Sequence, residues 1–181
     1  MVNNLHKAEN LAATTTLLTP TTQFDGPFKI NVHFELPERL CDLTIDANAS
    51  IRRIVTSEID FSAQSLHKPH MTLAMGYCET ELVFWKLLEF VDTFCKIHPP
   101  IETTFGKPYL KAPKRTYAFV DPDSSIDILH YKKELDKTIK ALLQPLEWDV
   151  VSEPPHVTLA YIKSRHDEIE AFLLGIDVSG T

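Results

Sequence analysis

The hexapeptide Pro-His-Met-Thr-Leu-Ala at Pro69–Ala74 returns as Pro-His-Val-Thr-Leu-Ala at Pro155–Ala160, an offset of 156 − 70 = 86 positions. Five of the six identities agree. With each residue type at very roughly one in twenty, a given window matches by chance about once in three million. The chain therefore carries an internal repeat, and the repeat is wider than its hexapeptide. At the same offset Lys29 falls on Arg115, Phe34 on Val120 and Glu35 on Asp121. Solenoid units run to about 20–50 residues, so this longer period implies two related lobes instead.

Hydrophobic periodicity fills in the elements. Lys29–Leu36 is an apolar-rich run stopped by Pro37 and suits a strand. Leu40, Leu43, Ala47, Ile51 and Ile54 recur every three or four positions as a helical stripe. The β-prone stretch from His70 to Tyr77 is a second strand, and Thr80 caps a helix over Glu81–Lys96. That helix is apolar nearly all round and is expected to be well buried. Ile101–Gly106 and Lys114–Val120 read as strands separated by a loop over Lys107–Pro113. Ser124 or Ser125 caps a helix carrying Ile128, Tyr131, Leu135, Ile139 and Leu142. Glu147–Val151 and His156–Ile162 are strands, and Ser164 with Asp167 has the pattern of a capping box for a last short helix.

Both copies of the repeat thus run strand, helix, His-bearing strand, helix. The expected fold is α+β and bilobed. Two small, mostly antiparallel sheets, backed by helices, pack about a pseudo-two-fold axis around a central groove. Residues 1–26 read as a mobile tail, and residues 27–181 as one bilobed domain.

Composition narrows the function classes. A hydrophobic content of 44% over 181 residues supports a real core, and a net charge of −7 argues against long-range attraction to duplex nucleic acid. A local basic patch can still hold a small anion or short oligonucleotide. Cys41, Cys78 and Cys95 share no C-x-x-C spacing and read as reduced thiols filling the core of a cytoplasmic protein. No apolar run approaches the ~20 residues that span a bilayer, and the apolar residues near the start are interrupted before a signal-peptide core forms.

The doubled motif itself points to chemistry. In a regular strand alternate side chains share a face, so His70, Thr72 and Ala74 are expected opposite Met71, Leu73 and Met75. The second copy sets His156, Thr158 and Ala160 opposite Val157, Leu159 and Tyr161. One face is core; the other, bearing imidazole and hydroxyl, is a groove floor. Two histidines flanking one site can divide acid and base work, with an unperturbed pKa near ~6.5 that suits both jobs. Two threonine hydroxyls can donate to the non-bridging oxygens of a phosphate. Such phosphodiester chemistry needs no metal and benefits from a neighbouring 2′-hydroxyl or cyclic phosphate, which favours RNA-derived substrates.

Paired H-x-T-Φ motifs of this kind resemble those of the 2H phosphoesterases, which include the 2′-5′ RNA ligase-like cyclic phosphodiesterases. The resemblance runs from about Lys29 to Leu174. Lys29–Glu38 looks like that group's opening strand, and Phe105–Phe119 like its Phe-x-Pro…Arg-x-aromatic segment. It implies a bilobed α+β fold, independence from metal and cofactor, and catalytic pairs His70/Thr72 and His156/Thr158. Two positions differ from the pattern: Tyr161 stands where Arg is common, and Asn31 where an aromatic is usual. The expected function is a monomeric phosphodiesterase acting on a 2′,3′-cyclic phosphate or 2′,5′-linked bond of a nucleotide or short RNA. RNA 2′-5′ ligase-like activity, or a nucleotide-binding module with little turnover, are the alternatives.

Other features carry less. Lys107, Lys111, Lys114 and Arg115 form the densest basic stretch, either a solvated loop or a phosphate-facing rim in which Arg115 and Tyr117 share a strand face leading into the site. Tyr117 or Phe119 can stack a base or serve as packing. His67 with His70 and His156 is a possible metal set. His33 shares a strand face with Lys29 and Asn31 and reads either as lining the groove or as a satisfied, partly buried histidine.

Overall fold

The computed structural model describes residues 9–14, 26–123, 126–146 and 154–178. In chain order the elements are β1 (Glu9–Thr14), β2 (Phe28–Glu35), α1 (Glu38–Ile54), β3 (Met71–Cys78), α2 (Glu81–Ile97), β4 (Ile101–Thr103), β5 (Tyr109–Leu110), β6 (Tyr117–Val120), α3 (Ile126–Leu142), β7 (Val157–Tyr161) and α4 (His166–Leu174). The strands join in the order β4-β1-β2-β3-β7-β6-β5, antiparallel at every pairing. Helices and one antiparallel sheet therefore make up the fold. The strands of the two repeat copies meet at β3 and β7 and form a single sheet instead of two. The expected order of strand, helix, His-bearing strand and helix recurs in β2-α1-β3-α2 and β6-α3-β7-α4.

The tail reading is corrected at Glu9–Thr14. That stretch is β1, inserted between β2 and β4, where it pairs Ala12 with Glu35 and Leu11 with Ile101. It satisfies backbone groups that would otherwise line two open edges. Its sequence, Glu-Asn-Leu-Ala-Ala-Thr, gives little strand signal because the partners, not the segment, supply the pairing. The remainder of residues 1–25, the proposed caps Ser124 and Ser125, and the expected strand over Glu147–Val151 lie outside the described residues.

The helices are exchanged between the copies. α3, from the second copy, packs on β2, β3 and α2 through Ile128, Leu135 and Ile139. α1, from the first, lays Ala47 and Ile51 on β6, β7 and α4, among Ala118, Leu159, Ala160, Ile169 and Leu173. Thr80 caps α2 as expected, accepting from the Val83 amide at 3.3 Å. The same helix departs from the expectation of all-round burial. Phe84, Leu87, Val91 and Phe94 are buried, whereas Leu82, Trp85 and Ile97 are 64%, 57% and 66% exposed, because only one side meets the core. The capping box for α4 does not form. Arg165, in a left-handed conformation with φ 57°, takes the N-cap position without a side-chain cap. Asp167 pairs instead with Arg115 at 2.9 Å.

The motif strands also break strict alternation. β2 pairs His33 with Thr72 and Val32 with Ala74, so Leu73 is an extra residue in β3. β6 repeats this on β7: Phe119 pairs with Thr158 and Ala118 with Ala160, leaving Leu159 extra. Both irregularities fall at the same point of the repeat, since 32 + 86 = 118 and 33 + 86 = 119. A bulge sets two residues against one and changes the face of everything after it. Leu73 and Ala74 are consequently both buried, as are Leu159 and Ala160. The expectation that Ala74 and Ala160 share a face with the histidines is corrected by this bulge. Met75 and Tyr161 take those places.

Candidate active site

β3 and β7 meet at Met71 opposite Val157, and both side chains are fully buried. Continuing this antiparallel register one residue each way sets His70 across from Thr158 and Thr72 across from His156. All four lie on the face away from the core and are partly exposed. Directly opposed side chains on one face are close neighbours, with Cβ atoms about 4.5–5.5 Å apart. The strand pairing thus brings the two H-x-T motifs together, as the repeat implied.

Each imidazole is anchored in the same way. His70 Nδ1 lies 2.7 Å from the Lys68 carbonyl, and His156 Nδ1 lies 2.8 Å from the Pro154 carbonyl. A carbonyl can only accept, so in both rings Nδ1 carries the hydrogen. The neutral ring then presents an Nε2 lone pair. His70 Nε2 accepts from Asn31 Nδ2 at 2.9 Å, and the same amide reaches Thr72 Oγ1 at 3.4 Å. Around His156 the neighbours are aromatic. The Phe119 ring stacks on it at 3.8 Å and 20°, Tyr117 stacks on Phe119 at 5.7 Å and 14°, and Tyr161 meets Tyr117 edge-on at 5.0 Å. Lys111 Nζ stands 5.7 Å from the Phe119 ring centre, and the Thr158 hydroxyl is hydrogen-bonded to the Tyr161 phenol.

Burial holds both motif histidines below the ordinary imidazole range, against the opposing pull of their backbone carbonyls. For His156, Asp121 also favours the charged form, while Lys111 and Lys132 disfavour it. His33, whose ring centre is 4.9 Å from that of His70, is pushed down to about 4 by burial and by His70. All three are therefore largely neutral at neutral pH. Two neutral imidazoles with Nε2 lone pairs, beside two hydroxyls, can accept a proton at one position and, once one ring is charged, donate it at the other.

The remaining sequence candidates divide. Tyr117, 41% exposed, belongs to the aromatic row that leads to His156. Arg115, in a left-handed conformation at φ 53°, gives its guanidinium to Asp167 at 2.9 Å and Glu170 at 2.7 Å on α4. Among the described residues, no three His, Cys, Asp or Glu side chains cluster as metal ligands, so the His67, His70 and His156 set does not assemble there. Asn31 and His33, with Phe119 and Tyr161, are the further neighbours of the site; pattern reading left His33 and Phe119 open between site and packing and gave Asn31 and Tyr161 no place in the site. The repeat offset was the signal that pairs the first two with Tyr117 and Phe119. Among the described residues, no helix is long and apolar enough to cross a membrane. The chain gives no match to a protein-family model, a curated protein or a solved structure.

Proposed function

We propose that this chain is a metal-independent phosphodiesterase of the 2H kind. Its substrate is a 2′,3′-cyclic phosphate or 2′,5′-linked bond of a nucleotide or short RNA. The observation that carries the reading is the matched anchoring of His70 and His156, each tied through Nδ1 to the carbonyl two residues before it. In this reading a pseudo-two-fold axis runs between Met71 and Val157, the two copies are lobes, and the His/Thr face is the floor of the groove between them. The repeated register and repeated bulge support that symmetry.

The chemistry follows from the groups present. One imidazole takes a proton from the attacking water as its oxygen bonds to phosphorus. The other, charged, gives a proton to the ribose oxygen whose bond to phosphorus breaks. Thr72 and Thr158 donate to the non-bridging oxygens, where charge builds. The aromatic row of Tyr117 and Phe119 offers a stacking surface for a base, a contact of about 1–3 kcal/mol where it forms.

The test is product analysis with excess EDTA present, using 2′,3′-cyclic nucleotides, 2′,5′-oligoadenylate and RNA ends. Conversion of a cyclic nucleotide or cleavage of a 2′,5′ bond is expected, unaffected by chelator. Loss of activity with EDTA and recovery on adding Zn²⁺ or Mn²⁺ would overturn the metal-free mechanism. Binding without turnover across the whole panel would replace the enzyme by a nucleotide-binding module.

A further inference from the structure

The two copies of the repeat agree in register and anchoring but differ at two positions on the strand beside each histidine. Asn31 occupies the place of Tyr117, and His33 that of Phe119. His156 therefore lies against a stacked aromatic ring, whereas His70 accepts a hydrogen bond at Nε2. We propose that Asn31 is a positioning residue that makes the two motif histidines unequal, holding His70 as the resident proton acceptor and leaving His156 as the donor. The assignment of acceptor and donor rests on the phosphodiesterase reading; the inequality itself does not.

His70 Nδ1 donates to Lys68, so its Nε2 must accept when the ring is neutral, and Asn31 Nδ2 supplies the hydrogen at 2.9 Å. Protonation of Nε2 would set hydrogens against hydrogens. The bond therefore stabilises the neutral ring and lowers its proton affinity. The amide also contacts Thr72 Oγ1 at 3.4 Å, which fixes its orientation relative to both motif side chains. Other groups facing His70 are the His33 imidazole and His67, and each opposes a second positive charge nearby. His156 faces Asp121, Lys111 and Lys132, which pull in opposite directions, together with the uncharged Phe119. Asn31 Oδ1 is buried with no hydrogen-bond partner among the described residues. A half-turn of the amide would put that acceptor on His70 and reverse the sign, so the sign of the effect tests the orientation.

Histidine-ring NMR titration of the full chain without substrate decides it. His70 is expected to titrate below His156. Asn31→Leu removes the donor at similar size and should raise the His70 midpoint by about half to one unit, the scale of one hydrogen bond, while leaving His156 in place. Asn31→Asp keeps the shape, places a carboxylate at Nε2 and should raise His70 by about 1–3 units. That variant decides the matter should the leucine variant fail to fold. A His70 midpoint that stays put or falls, or equal movement of both rings, overturns the proposal. In kinetics, Asn31→Leu should move the acidic limb of kcat/KM upward and leave the alkaline limb. An unmoved acidic limb beside a shifted His70 would overturn the acceptor assignment alone. Absence of turnover on every substrate would sink the phosphodiesterase reading and leave the NMR result standing.

Discussion

At the scale of single residues, the four motif side chains and their supports make separable contributions. If His70 and His156 act as an acid–base pair, His70→Ala and His156→Ala should each lower kcat by about 10²–10⁴. The double variant should lose far less than the product of the two, since groups acting as a unit are not additive. A single variant retaining full activity would dissolve the pair. Thr72→Val and Thr158→Val keep the β-branched shape and delete a donor. With the hydroxyls facing a phosphate, kcat/KM should fall about 10–10³-fold while the melting temperature holds. Thr158 also serves the Tyr161 phenol, so a lowered melting temperature with normal kinetics would make that hydroxyl architectural. His70, Thr72, His156 and Thr158 were legible because they are written twice. Asn31 and His33 were less so: strand alternation can set His33 on the groove face, but the importance of both lies in breaking the symmetry that the repeat displays.

The element that escaped pattern reading is the bulge. Period-two alternation is a sound rule for a regular strand, and it correctly placed His70, Thr72, Met71 and Leu73. It fails after Leu73 and Leu159 because one inserted residue reverses every later side chain. Tyr161, which strict alternation puts in the core, therefore faces the site. Two consecutive small or apolar buried residues in each copy, Leu-Ala, were the trace of the bulge in the sequence. Asn48 secures the second one. Its Nδ2 donates to the Leu159 carbonyl at 2.8 Å and to the Ile59 carbonyl at 3.2 Å, and its Oδ1 accepts from the Phe61 amide at 3.3 Å. Asn48→Leu strands these buried groups and should cost ~1–3 kcal/mol in chemical denaturation. Unchanged stability would show that the bulge needs no such tie. Gly76 is a second constraint on β3. An added Cβ would lie 2.7 Å from Leu143 Cβ and 2.8 Å from the Gln144 carbonyl oxygen, beside the Tyr77–Gln144 backbone pair. Gly76→Ala should therefore destabilise by about 1–3 kcal/mol.

At the scale of the whole molecule, His33, His70 and His156 give stability a pH dependence of definite sign. All three sit below the ordinary imidazole range in the fold, mainly through burial, so the unfolded chain binds protons that the folded chain refuses. Stability rises with pH wherever the unfolded state holds more protons. The contribution is complete above about pH 6.5 and is lost as pH falls through that range toward the His33 value of about 4. His33→Phe, which copies the second half at Phe119, should flatten the fall in melting temperature between those limits. An identical slope would deny His33 its depressed titration. The sequence indicated the four helices and the strands of the repeat, but β1 lies in the stretch read as a tail and β5, Tyr109–Leu110, in the stretch read as a loop. It did not show that the strands join in one sheet, because the joint is a single ladder pair with no signature beyond the motif itself. The exchange of α1 and α3 has a consequence for how the chain can be divided. Although the repeat suggests two ancestral units, each unit's first helix now roofs the other's strands, so neither can close its own core. A backbone cut within 98–100 should yield two peptides that are unstructured apart and recover the melting transition only when mixed. Cooperative folding of either peptide alone would mean that the interlock is ornamental.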